Sequence, residues 1–65
     1  KSFFTFLNEY RINRACKLLI ETDKQVSEIC YGTGFESIPF FYRQFKKIKK
    51  CPPQAYRLKF QHAGE

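Results

Sequence analysis

Sixty-five residues suffice for one small domain, or part of one, and exclude a multidomain enzyme. Eight Phe and four Tyr bring core volume to a chain that is 43% hydrophobic, which sets it apart from the low-hydrophobicity composition of disordered segments. Twelve Lys and Arg against six Asp and Glu give a formal charge of +6, so polyanions, nucleic acid first among them, are the partners to consider.

Along the chain, Ser2 is a good helix N-cap, and Ile12, Ala15, Cys16 and Leu19 follow at i, i+3, i+4 and i+7. This spacing predicts a helix of about five turns near residues 3–21. A second stripe of Phe4, Leu7, Ala15 and Leu18, with Phe3, Phe6 and Tyr10 beside it, leaves that helix apolar on more than one face. Packing on two sides is therefore expected.

After the punctuation of Thr22 and Asp23, Val26, Ile29 and Cys30 predict a short second helix, from Val26 to about Thr33, stopped by Gly32 and Gly34. Ser37 can cap the next helix, and Pro39 falls in its first turn, where a missing amide proton costs nothing. Phe41, Phe45 and Ile48 mark its inward face, and Pro39, Tyr42, Arg43, Lys46 and Lys50 its outward face. Residues 43–50 hold five cations and no acid, whereas residues 21–36 hold four of the six acids, so the positive charge is localised on this helix. Pro52 and Pro53 break it and start a last short helix through Ala55, Tyr56, Leu58 and Phe60, with residues 62–65 expected as a frayed tail.

The inventory of reactive groups argues against an enzyme. The one histidine, His62, sits in the tail, and no carboxylate pair, phosphate-cradling glycine loop or nucleophile with an adjacent base can be assembled. Cys16, Cys30 and Cys51 form no C-x-x-C pair, which supports neither a disulfide framework nor a zinc site, so no metal or cofactor is expected. Three reduced thiols fit a cytoplasmic protein. No apolar run approaches the roughly 18 residues needed to span a bilayer, and no membrane partner is expected.

A short helix, a glycine turn and a basic second helix are the parts of a helix-turn-helix, whose second helix enters the major groove of DNA. The small side chain of Cys30 lets the two helices approach, Gly34 four residues on supplies the turn, and Phe41 and Phe45 anchor the second helix. Ser37, Ile38, Pro39, Tyr42 and Arg43 are then expected to project toward base edges, with Lys46, Lys47, Lys49 and Lys50 suited to phosphates. The alternative is a basic helical module that binds a protein or an anionic surface without sequence-specific DNA readout. Against it, Phe41 and Phe45 consume the apolar face such a partner would use.

The runs R-I-N-R-A-C-K-L-L, V-S-E-I-C-Y-G-T-G-F, F-F-Y-R-Q-F-K-K and P-P-Q-A-Y-R, within residues 11–57, resemble the C-terminal half of the DNA-binding domain of AraC/XylS-type bacterial transcription regulators. Upstream, S-F-F-T-F-L-N-E-Y is similar to the start of that family's long linker helix. The resemblance implies an all-α, homeodomain-like helix-turn-helix bundle of about four helices. Residues 1–22 would be the linker helix, residues 23–61 the second helix-turn-helix with the C-terminal helix, and residues 38–50 the recognition helix. The first helix-turn-helix unit is absent and expected upstream, with a sensor or receiver domain. Phe3, Phe4, Phe6 and Leu7 would pack against that unit, and are otherwise expected to be exposed or to pair with another copy as a homodimer. The implied partners are double-stranded DNA and, through the full-length protein, RNA polymerase.

By the same resemblance Arg43 matches the recognition-helix arginine, and Ile38, Pro39, Phe40 and Tyr42 match variable positions at or near the groove. Lys24, Gln25 and Ser27 match a region that meets the DNA backbone. Ile38 and Pro39 depart from the polar residues frequent in the family, so readout there would be apolar, for example against a thymine methyl. Lys50 stands where the family commonly has glycine, and would either take a left-handed turn at a cost of about 1 kcal/mol or extend the helix by a residue. Arg57 matches a family arginine expected either to tie the last helix to an acid such as Glu28 or to be free on the surface. One recognition helix alone supports salt-sensitive binding near the non-specific range of roughly 10⁻⁴ to 10⁻⁶ M.

Overall fold

The hydroxyl oxygen of Ser2 accepts the Thr5 amide at 3.1 Å and starts the first helix, α1, Phe3–Glu21. The computed structural model describes residues 1–61, and in it α1 is followed by α2, Val26–Gly32, α3, Ile38–Lys49, and α4, Pro53–Gln61. The described residues form no strand, and the architecture is the all-α bundle of four helices that the sequence predicts. The tail at 62–65 lies outside the described residues.

α1 ends at Thr22, whose amide and hydroxyl both donate to the Leu18 carbonyl, at 3.0 and 2.6 Å. The carbonyls beyond it would be left without partners at the negative end of the helix dipole, and α1 has no basic residue in its own last turn. α4 supplies the missing donors. Arg57 Nε donates to the Leu19 carbonyl at 3.0 Å, and Nη2 donates to the Thr22 and Lys24 carbonyls at 3.2 and 2.7 Å. Gln61 Nε2 adds a bond to the Thr22 carbonyl at 3.1 Å. Arg57 thus ties the last helix down, but to backbone carbonyls and not to Glu28. A helix end gathers several acceptors within reach of one planar guanidinium, which a single exposed carboxylate does not match.

α2 stops in a Schellman turn. Phe35 N–H donates to the Cys30 carbonyl and Gly34 N–H to the Tyr31 carbonyl, both at 3.1 Å, with Gly34 at φ 102°. A Cβ on Gly34 would sit 2.9 Å from Nε of the flexible Arg11 side chain, which can shift, so it is the backbone angle that calls for glycine there. The turn drops Phe35 into the core, 3% exposed, beside Ile12, Ala15, Cys16 and Leu19 of α1, Ile29 and Cys30 of α2, and Phe41 and Phe45 of α3.

A run of ring contacts carries this core across the bundle. Phe35 meets Phe41 at 5.1 Å between centroids, Phe41 meets Phe45 at 5.8 Å, and Phe45 meets Tyr56 of α4 at 5.5 Å, all edge to face. Such pairs contribute about 0.5–1.5 kcal/mol each beyond the area they bury. α3 is thereby fixed along its underside. The second face of α1 is uncovered at Phe3, Phe4 and Phe6, as expected, and also at Tyr10, all more than half exposed, while Leu7, expected with them, is half-buried and Asn8 buried. No helix of the described residues is long and apolar enough to cross a membrane.

Candidate nucleic-acid interface

α3 begins at Ser37, whose hydroxyl oxygen accepts the Phe40 amide at 3.3 Å, with Pro39 in the first turn. The buried Cys30 thiol, pushed up in pKa by its burial, donates to the Ser37 carbonyl at 3.9 Å and so links α2 to the start of α3. Phe41 and Phe45 are fully buried beneath. At 3.6 residues per turn the opposite side of the helix then carries Pro39, Arg43, Lys46 and Lys47, with Lys50 just past its end, and all five are exposed.

Lys50 takes the left-handed conformation, φ 69°, and its N–H donates to the Lys46 carbonyl at 2.9 Å. The helix therefore ends at Lys49, one residue short of the expected 38–50, and the turn is made by lysine without the freedom of glycine.

The outward face is narrower than the sequence suggests. Ile38 is half-buried against the core, because it lies at i, i+3, i+7 with Phe41 and Phe45 and so shares their side of the helix. Tyr42 is half-buried too, its ring at 6.0 Å from that of Phe41 and its hydroxyl accepting a hydrogen bond from Gln54 Nε2 of α4. Lys49 is half-buried on the flank that faces Cys16. Lys24 is exposed between α1 and α2, Ser27 is half-buried in the first turn of α2, and Ser37 is exposed.

Arg43 sits at the centre of the exposed face with its guanidinium 5.9 Å from the centroid of the Phe40 ring. The ion pair found among the described residues is Lys1 with Glu9 at 2.6 Å, and it does not involve Arg43. All five guanidinium N–H donors of Arg43 are thus free of carboxylates within the described residues. On the side of α1, a groove of about 400 Å³ runs past Phe4, Asn8, Arg11, Ser37 and Phe40. Gln54 and Arg11 had no signal in the sequence as parts of this region, since each reaches it from another helix.

Under the surface, burial pushes the Cys16 thiol up, opposed by the neighbouring Tyr56 hydroxyl and the Lys49 charge. Burial also pushes Tyr56 up to about 12, with the Cys16 thiol adding to the rise. Among the described residues no three His, Cys, Asp or Glu side chains converge as metal ligands. The arrangement presents fixed cations and one free arginine fork on a rigid helix, which suits phosphates and base edges.

Residues 1–59 match the family described as a helix-turn-helix domain. The chain is similar to the xylose operon regulatory protein of Haemophilus influenzae, 39% identical over 58 residues, which cover 89% of this chain and 15% of that protein. It is similar also to the melibiose operon regulatory protein of Escherichia coli, 38% identical over 52 residues, 80% of this chain and 17% of that protein. A third relative is an uncharacterized HTH-type transcriptional regulator of Staphylococcus aureus, 40% identical over 55 residues, 85% of this chain and 7% of that protein. The chain therefore spans between 7% and 17% of the length of these relatives. No solved structure matches it. The matched span takes in all of α2, the turn and α3, and the chain belongs to the AraC-type helix-turn-helix family of transcription-regulator DNA-binding domains.

Proposed function

We propose that this domain lays α3 in the major groove of double-stranded DNA and reads part of an operator for a larger transcription regulator. The observation that carries this is the division of α3 into a fully buried underside, Phe41 and Phe45, and an exposed side holding Arg43, Lys46, Lys47 and Lys50. Arg43 makes the base contact, with Pro39 and Tyr42 at the margins of the same face and Ile38 reaching the DNA only by its exposed edge. Lys46, Lys47, Lys50 and Ser37 hold phosphates along the groove, and Lys24 and Ser27 hold the flanking backbone ahead of α2.

α1 serves as the linker helix, residues 1–22, and residues 23–61 as the second helix-turn-helix of the pair. Its open aromatic face, Phe3, Phe4 and Phe6 with the half-buried Leu7, takes either the first unit or a second copy of the chain. The regulator acts in the cytoplasm, engages RNA polymerase through its full-length form, and needs neither catalysis nor a cofactor in this domain. A fluorescence-anisotropy titration against mixed-sequence duplex DNA at two salt concentrations tests the reading. Binding that weakens steeply with salt, and further on Arg43→Ala, supports it, whereas no binding at low salt contradicts it.

A further inference from the structure

We infer that Phe40 is a positioning residue that holds the Arg43 guanidinium in its base-reading orientation, and that the chain's base preference depends on the Phe40 ring. The inference rests on the base-reading role proposed above for Arg43. Phe40 and Arg43 lie at i and i+3 on α3, where side chains meet along one face, and the guanidinium carbon lies 5.9 Å from the ring centroid. Arg43 has no carboxylate to orient it among the described residues, so this ring is the group that sets its direction.

Phe40 is itself held. It is half-buried, its ring 6.1 Å from that of the buried Phe35 and 6.3 Å from that of Phe4 of α1. Phe35 is in turn locked edge to face against Phe41 at 5.1 Å, and Arg11 lies over the ring of Phe35 at 5.9 Å. An arginine side chain free in solution samples many rotamers, and immobilising it on binding opposes association. A guanidinium already lying against a fixed ring has lost part of that freedom before DNA arrives. The ring also leaves the N–H edges of the guanidinium open, which is the part that bonds to guanine.

The test is selection of bound sequences from a randomised duplex pool by the wild-type chain, Phe40→Leu, Phe40→Tyr, Arg43→Ala and Phe40→Leu/Arg43→Ala, with helicity checked by circular dichroism. Arg43→Ala identifies the base position that depends on the arginine. At that position Phe40→Leu is expected to reduce discrimination about two- to five-fold, the factor that corresponds to an exposed cation–π contact. Phe40→Tyr keeps the ring and should retain discrimination, and in the Arg43→Ala background Phe40→Leu should have no further effect there. A merely structural role for Phe40 would weaken all positions and all sequences together, with Tyr and Leu differing only through stability, and that result overturns the inference. A wild-type preference that Phe40→Leu leaves intact also overturns it alone. A wild-type chain with no base preference overturns the base-reading role of Arg43 and the inference together.

Discussion

Arg57 and Leu19 join the last helix to the C-terminal end of the first: the guanidinium Nε of α4 donates to the α1 carbonyl at 3.0 Å. With the bonds from Nη2 to the Thr22 and Lys24 carbonyls, this one side chain closes the α1 terminus and fixes the segment that leads into α2. The segment that leads into α2 is therefore tied to α4.

Removing that fork should cost stability more than its half-exposed position suggests. Arg57→Ala takes the charged donor from three carbonyls, of which those of Leu19 and Thr22 keep a bond from Gln61 Nε2 and that of Lys24 keeps none among the described residues, and a hydrogen bond to a charged group contributes about 1.5–3 kcal/mol net. We expect a loss of about 2–3 kcal/mol in urea unfolding. Arg57→Lys should recover less than half, because an ammonium cannot span the same acceptors. Equal stability of Arg57→Lys and wild type would contradict the fork geometry.

The two glycines flanking Thr33 should respond in opposite directions. Gly34→Ala forces a Cβ to φ 102° and to 2.9 Å from Arg11 Nε, with an expected loss of about 1–3 kcal/mol. Gly32 is the last helical residue of α2 and has nothing within 4 Å of its added Cβ, so Gly32→Ala should stabilise by about 0.5–1 kcal/mol. Thermal melts of the two variants that move the same way would rule out the turn described.

Stability should fall on the alkaline side through Tyr56 and Cys16. Both have folded-state pKa values raised by burial, Tyr56 from 10.0 to about 12 and Cys16 upward from 9.0. The folded state therefore holds these protons where the unfolded chain has released them. The contribution is complete below about pH 9 and is lost as pH rises from there toward 12. Tyr56→Phe should flatten the upper part of this decline, read as urea midpoints between pH 8 and pH 11. An unchanged slope would mean that the hydroxyl is not desolvated.

Salt dependence separates the lysines from Arg43. Lys46→Ala should weaken binding to all duplex sequences alike and lower the log–log salt slope by about one. Arg43→Ala should cost about 1–3 kcal/mol and relax one base position. Sequence-blind losses of equal size from both would reduce Arg43 to a phosphate contact.

The helices were legible because their signals are local. Ser2, Ser37, Gly34 and Pro53 each bound an element by their own chemistry, and the spacing of Ile12, Ala15, Cys16 and Leu19 states the core face of α1 without reference to anything else. What was not legible depends on helices far apart in sequence. The acceptors of Arg57 are backbone carbonyls 33–38 residues away, which any residue type could provide. Tyr42 turns toward Gln54 twelve residues on, a neutral pair with no charge or period to announce it. Ile38 is half-buried for a reason that is local. Its helical phase with Phe41 and Phe45 is a local signal of an inward side chain, and an outward projection from the start of the helix conflicts with it.

The central claim is that the exposed side of α3 meets DNA. Its most direct test is mapping of ¹⁵N amide chemical shifts on adding a mixed-sequence duplex to the labelled chain at low salt. The account predicts that the largest shifts fall on Ser37, Tyr42, Arg43, Lys46 and Lys47, with smaller ones at Lys24 and Ser27 and none at Leu58. Shifts concentrated on Phe3, Phe4 and Phe6, or spread along α4, with α3 silent, would contradict it.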